Sequence, residues 1–359
     1  MSHYEERMEK DLERLRESVA DMATHVEVGV KDAIHALLDG DRELATATIL
    51  NDHRINRAMT RINKLCHSFI AQHLPSGRHL RLLSSVIRVN IELERIGDYA
   101  VTVAREAVQL SSAPSGDIAR ELERYGEETQ VMLHQAIRAF TELNADTARA
   151  TMVMEEQMEN DLDVVYAKLT ADADRGTVRN LVNAFAVFNQ LKRVVDQAKN
   201  LCEETIFAAT GETKAPKIYN VLFVDEDNSC QSQLAVAVAR KHFPGSGSYT
   251  SAGRTAASAL NPALVTFVDQ HSLSLAETQP QALHLTPLEL ARQHLVISLE
   301  GSIKSYFEDI PFHTTPLQWN LAPKPTEPKA VEGWLDEIYR DLATRIRDLM
   351  EALRGEDAP

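Results

Sequence analysis

The apolar residues in the first half of the chain repeat, and the repeating unit is a set of three helices. Met8, Leu12, Leu15, Val19, Met22, Val26, Val30, Ala33 and Leu37 recur at alternating steps of three and four. That spacing places one buried stripe along a long helix. Gly40 ends the run and Asp41 is placed to cap the next helix. A second helix is predicted to about Ile70. The segment Leu74-Pro75-Ser76-Gly77 breaks the pattern, and a third helix is predicted from about Arg81 to Leu110. The unit then returns. Ala33-Ile34-His35-Ala36-Leu37 matches Ala136-Ile137-Arg138-Ala139-Phe140, and Ala45-Thr46-Ala47-Thr48 matches Ala148-Arg149-Ala150-Thr151 at the same offset. In the third helices, Val89, Leu93, Arg95, Ile96, Asp98 and Ala100 line up with Val187, Leu191, Arg193, Val194, Asp196 and Ala198. The unit is too long for a solenoid. Two copies, over about 1–112 and 118–208, predict a pseudo-symmetric pair of three-helix bundles.

The remaining length allows a second domain, since the chain has 359 residues. Hydrophobic residues make up 44%, enough for packed cores rather than disorder. The net charge of −15 argues against nucleic-acid binding, which needs a basic footprint, and against unaided docking on anionic lipid. Cys66, Cys202 and Cys230 are widely spaced and form no disulfide or zinc pattern, which predicts a reducing cytoplasm. The first turn is charged, with no apolar signal core. No apolar run approaches the roughly 20 residues of a membrane span, so no direct membrane insertion is expected.

After Phe207 the pattern changes. Residues 209–217 contain Gly211 and Pro216 and read as a linker. Strands are predicted at Val221–Val224, near Tyr249–Ser251 and at Leu295–Leu299. The proline-rich stretch Pro311–Pro328 is expected to be irregular. A final amphipathic helix is predicted over Ala330–Leu353. The expectation for 218–359 is a small α/β domain with a parallel sheet.

Glu94 and Asp98 stand four apart and so share a helix face. The line Ile87, Ile91, Glu94, Asp98, Val101 has helical spacing, so the carboxylates fill positions that otherwise read as apolar. Asp52 and Asn56 form a similar pair on the preceding helix, placed to face the same seam. Acids crowded at a half-buried seam repel unless bases or a cation neutralise them. Two readings follow. In one, Arg88 and Arg95 pair with the acids. In the other, Asp52, Glu94 and Asp98 hold a divalent or iron-type metal ion, with Asp196 as the corresponding acid in the second copy. That copy departs from the first. Glu155 and Glu159 replace Asp52 and Asn56, and Lys192 stands where Glu94 stood. A lysine four before Asp196 predicts an internal ion pair that disfavours a cation there.

The run Val221–Val224 leads into Asp225-Glu226-Asp227-Asn228-Ser229-Cys230-Gln231-Ser232 and then a helical stretch from Leu234. Strand, tight loop and helix form the arrangement that cradles a phosphate against a helix N-terminus. A loop of the Cys-x5-Arg type needs a thiolate at its first position and a guanidinium at its seventh. Asp225 and Gln231 hold those positions here, and Glu226 and Asp227 add charge that repels an anion. Nothing beside Cys230 in the sequence lowers its pKa, so it reads as a structural thiol.

The duplicated unit, with Asn90-Ile91-Glu92-Leu93-Glu94-Arg95-Ile96-Gly97-Asp98-Tyr99-Ala100, resembles the PhoU family of phosphate-signalling regulators over about 1–208. Leu191-Lys192-Arg193-Val194-Val195-Asp196 is a degraded second copy of the motif. The resemblance implies a six-helix fold, a homodimer, and restraint of phosphate uptake and phosphate-starvation signalling. It implies the phosphate transporter ATPase and its sensor kinase as partners, and a metal held by acids at the positions of Glu94 and Asp98. Residues 218–355 resemble low-molecular-weight tyrosine phosphatases and arsenate reductases. That resemblance rests on Val221–Val224, Asn228-Ser229-Cys230, Ser232, Ser251-Ala252-Gly253, His294–Ile297 and Trp319-Asn320-Leu321. Its catalytic positions are lost. Asp225 replaces the nucleophile, Gln231 the arginine, and Ala322 the aspartate of the acid loop. The expectation is a cytoplasmic, non-enzymatic regulator with an inactive phosphatase-like module. The alternatives are an arsenate reductase or protein phosphatase with an altered loop, and a metal-sensing helical bundle.

Overall fold

The computed structural model describes residues 3–110, 113–171, 178–214, 216–275, 279–311, 314–325 and 331–355. They form two units, Met1–Lys214 and Ala215–Pro359.

In the first unit, α1 (His3–Asp39) and α2 (Arg42–His73) meet at a capped turn. Gly40 takes a positive φ of 69°, and Asp41 Oδ1 then accepts the amides of Glu43 and Leu44 at 3.0 and 2.9 Å. These bonds satisfy amides that a helix start leaves open. The same device returns in the second repeat between α4 (Gly116–Glu142) and α5 (Ala145–Ala171). There Leu143 has φ 49°, and Asn144 Oδ1 accepts Asp146 N and Thr147 N at 3.1 and 3.0 Å. The third helices are α3 (Gly77–Gln109) and α6 (Val178–Thr210). α3 begins four residues before the predicted Arg81, and α6 runs into the predicted linker.

Within each repeat the three helices pack on one another, and α3 lies along α6. The two bundles therefore share one core. Its members include Leu15, Met22, Val89, Leu93, Tyr125, Phe188 and Leu191, all buried. Each such side chain contributes about 1.5–3 kcal/mol on burial. Asn90 is a buried polar tie in this core. Its Nδ2 donates to Met59 O and Asn63 Oδ1, both at 3.0 Å, and so fixes α3 against α2.

The second unit is a four-stranded parallel sheet in the order β2-β1-β3-β4. The strands are β1 (Tyr219–Asp225), β2 (Gly247–Gly253), β3 (Leu295–Ser298) and β4 (Thr315–Gln318). β1 is central and covered on both faces, which explains its unbroken apolar run. Val221 and Phe223 join a core with α7 (Gln231–His242), α8 (Pro262–Gln270) and α10 (Val331–Arg354). Leu222 and Val224 face the other side, against Ala252, Val296 and Leu290 of α9 (Pro287–Ala291). β4 lies inside the stretch expected to be irregular. It is an edge strand in which Thr315, Pro316 and Gln318 are exposed, so its sequence has little apolar alternation, and an edge tolerates proline. The chain runs from β1 to β2 on one side, then crosses to β3 on the other. That reversal opens a crevice at the C-terminal end of β1, where ligands bind in open parallel sheets.

Candidate functional site

The loop after β1 sits at that crevice, and a carboxylate fills it. Asp225 is 2% exposed. Its Oδ1 accepts Asn228 N at 2.6 Å and its Oδ2 accepts Ser232 N at 2.8 Å. Amides that a phosphate loop offers to an anion are thus taken by the loop's own first residue. The three acids of the loop, which the sequence places where an anion would sit, are thus separated by the fold. Asp225 points inward, Glu226 pairs with Arg254 at 2.7 Å, and Asp227 Oδ1 accepts Ser229 N at 2.9 Å. Burial pushes the Asp225 carboxyl up to about 6, against the opposing pull of the Ser232 and Asn228 hydrogen bonds.

Asn228 holds the turn. It takes φ 52°, its Nδ2 donates to Ser232 Oγ at 2.8 Å, and its Oδ1 accepts Gln233 Nε2 and Gln281 N. Gly253 is needed beneath it, because a Cβ there would lie 2.5 Å from Asn228 N. Gln231 is buried and donates to Ala322 O at 3.1 Å, the same carbonyl that accepts the Trp334 indole at 2.9 Å. Cys230 is buried, and burial pushes its thiol up to about 12, so it supplies no thiolate near neutral pH. A fourth acid of this crevice, Glu300, escaped the sequence reading. Its carboxylate accepts Glu226 N at 3.3 Å, and burial raises its pKa. The available signal was topological, since Glu300 follows the next strand of the crevice.

In the helical unit, Asp52, Glu94 and Asp98 are brought to one seam. Burial raises the pKa of Asp52, and the Asp98 charge raises it further. Burial also raises that of Glu94, with Asp98 and Asp52 adding to it. Asp98 itself is exposed, unlike the half-buried position expected of it. Asn56 Nδ2 donates to Asp52 Oδ2 at 2.6 Å, while Asp52 Oδ1 is buried and lacks a hydrogen-bond partner among the described residues. Gly97, inside the Glu-Arg-Ile-Gly-Asp run, permits this approach. A Cβ there would lie 2.9 Å from Ile55 Cδ1 and 3.3 Å from Asp52 Oδ1. A pocket of about 260 Å³ opens beside Asp52, lined also by Thr24, His25, Ile55 and Gly97.

Among the described residues neither expected arginine forms an ion pair with the seam acids, although the charge of Arg95 partly offsets the rise at Glu94. Arg88 pairs with Glu204 at 2.8 Å and Arg95 with Glu92 at 3.5 Å. The seam has the oxygen chemistry of a hard-cation site, but among the described residues no three acidic, His or Cys side chains converge closely enough to hold a metal ion. The second copy is closed to a cation. Lys192 Nζ lies 3.2 Å from Asp196 Oδ1 and 3.5 Å from Glu159 Oε1, and Lys199 pairs with Glu155 at 2.7 Å. Asp196 therefore has an internal cation, and the two repeats differ in charge where they match in fold.

The PhoU domain family model matches residues 19–107 and 118–205, one match in each repeat. The phosphate-specific transport system accessory protein PhoU homolog of Pseudomonas aeruginosa is 30% identical over 214 residues, spanning 58% of this chain and 88% of that protein. The corresponding accessory protein of Serratia marcescens is 29% identical over 212 residues, spanning 58% and 87%. The crystal structure of PhoU from Pseudomonas aeruginosa superposes with a TM-score of 0.54, covering 57% of this chain and 99% of that one. On these matches, which fall on the six helices and their repeat, the chain belongs to the PhoU family.

Proposed function

We propose that this protein regulates phosphate uptake by binding components of the phosphate transport system through its helical unit, without catalysing a reaction. The observation that carries the reading is the pair of PhoU domains, whose relatives are phosphate-transport accessory proteins. The partners it implies are the transporter ATPase and a sensor kinase, met on the cytoplasmic side, with a homodimer as the working form. No described helix is long and apolar enough to cross a membrane. The second unit is an inactive phosphatase-like domain on this reading. Its parallel sheet and strand-loop-helix crevice support the likeness, while Asp225, Gln231 and the protonated Cys230 remove nucleophile and anion clamp. Asp52, Glu94 and Asp98 do not converge closely enough to hold a metal ion as they stand, so a hard cation would have to draw the three carboxylates together before it relieved their mutual repulsion.

Phosphate uptake tests this. Cells lacking the chain should take up phosphate without restraint when it is abundant, and the full chain should restore the restraint. Asp225→Asn should restore it equally. Unchanged uptake on deletion would contradict the regulatory reading, and rescue that required Asp225 would contradict the silent second unit.

A further inference from the structure

No Asp or Glu lies between Asp52 and Glu92, although the chain as a whole carries a net charge of −15. Within that acid-free stretch Arg54, Arg57, Arg61 and Lys64 recur at steps of three and four, which places them along one side of α2. All four are exposed. Arg57, Arg61 and Lys64 line an open groove of about 810 Å³ with Arg14 of α1, and none of the groove's lining residues is acidic. Arg14, Arg57 and Lys64 have no ion-pair partner among the described residues. Arg61 alone is engaged, by Asp21 at 3.3 Å. Cations are thus concentrated on an acidic molecule, and most of them are free to meet a ligand.

The lining also says what kind of ligand fits. Leu65 is its only apolar side chain of size, and it has no Phe, Tyr or Trp. Protein interfaces are anchored by aromatic side chains and Arg packed into desolvated pockets, and cations on an open groove with no aromatic neighbour form no such anchor. Single-stranded nucleic acids need aromatic platforms for their bases. Neither is served here. Guanidinium and ammonium groups instead match phosphate oxygens, the former bidentately. From Arg57 to Lys64 the helix rises about 10 Å, so one orthophosphate reaches a neighbouring pair of cations, whereas a short chain of phosphates reaches them all. A long polyanion would run past the groove onto acidic surface, where repulsion acts over a Debye length of about 10 Å.

We propose that this groove of α1 and α2 binds short inorganic polyphosphate. The groove adjoins the Asp52 seam, with which it shares Asn56, but none of its cations belongs to the seam, and the site does not depend on the regulatory reading.

Calorimetric titration of the full chain with sodium tripolyphosphate and, separately, with orthophosphate tests the assignment. Tripolyphosphate should bind the more tightly, with affinity falling steeply as salt rises. The double variant Arg57→Gln, Lys64→Gln should bind it at least about tenfold more weakly, with an unchanged melting temperature because both residues are exposed. Arg120→Gln with Arg138→Gln, on exposed and acid-paired positions of α4, should bind as the parent does. Equal affinity for orthophosphate would overturn the polyphosphate assignment. So would unchanged tripolyphosphate binding in the double variant. A shift in oligomeric state caused by that variant would show the groove to be a face for a second copy instead.

Discussion

Asp225 Oδ2 accepts the backbone amide of Ser232 at 2.8 Å, across the loop that joins β1 to α7. The bond has two consequences. It anchors the first turn of α7 from inside the molecule. It also occupies the loop amides with a carboxylate of the chain itself, which holds the turn from within.

The raised Asp225 pKa gives the second unit a pH signature. The folded carboxyl titrates at about 6, against an ordinary value of 3.8. Between those values the folded state binds more protons than the unfolded one, so this contribution is complete below pH 3.8 and lost as pH rises through about 6. The full effect is at most about 3 kcal/mol. Trp319 and Trp334 are the only tryptophans and both lie in this unit, so their fluorescence follows its unfolding selectively. Urea unfolding should become easier from pH 4 to 6.5 in the parent, and Asp225→Asn should flatten that slope. An unchanged slope in the variant would show that another group titrates.

Gly253→Ala should destabilise the same unit by more than about 2 kcal/mol. The added Cβ would meet backbone atoms, Asn228 N at 2.5 Å and Asp227 C at 2.6 Å, which cannot rotate away. Tryptophan-detected unfolding at reduced urea concentration is the expected outcome.

Glu94→Gln should raise the melting temperature of the helical unit at neutral pH in the presence of a chelator. Burial and the charges of Asp98 and Asp52 disfavour its ionised form. The gain should be a few tenths to about 1 kcal/mol, since the seam is partly open to solvent. It should vanish as pH falls below the carboxylate range, where the parent is protonated as well. If the protein is soaked with manganese, anomalous scattering should show none at Asp196, beside Lys192, and any signal should be confined to the seam of Asp52, Glu94 and Asp98, whose carboxylates must draw together to hold it. Equal signal at both seams would contradict the role assigned to Lys192.

A chain ending at Lys214 should be soluble, helical and cooperative in thermal unfolding. α6 ends at Thr210, and Lys214 itself pairs with Glu203 at 2.7 Å within the same unit. Circular dichroism that showed a broad, non-cooperative melt would mean that the helical core needs the second unit.

Much of this architecture was legible from residue spacing. Leu12, Leu15, Val19 and Met22 announce a helix because burial selects one side of a 3.6-residue period. The repeat was legible in its apolar positions and in the first cap, Asp41, while the equivalent cap, Asn144, emerged only from the structure. Val221–Val224 declared a central strand by being apolar on both faces. β4 was not legible, because an exposed edge strand needs neither alternation nor an amide at Pro316. Pattern also gave the identity of Asp225 but not its direction. Whether an acid points to solvent or into a loop depends on which amides are free, and that is decided by the turn at Asn228. Arg88 was misassigned for a related reason. Its partner, Glu204, comes from α6, far away in sequence, and local spacing names only local partners.

The claim that Asp225 has taken over the loop is tested most directly by turnover. Purified full-length protein, given an aryl phosphate in one assay and arsenate with a thiol reductant in another, should show no rate above the buffer blank. A measurable rate that Asp225→Ala abolishes would mean the carboxylate acts as a nucleophile and not as the loop's resident anion.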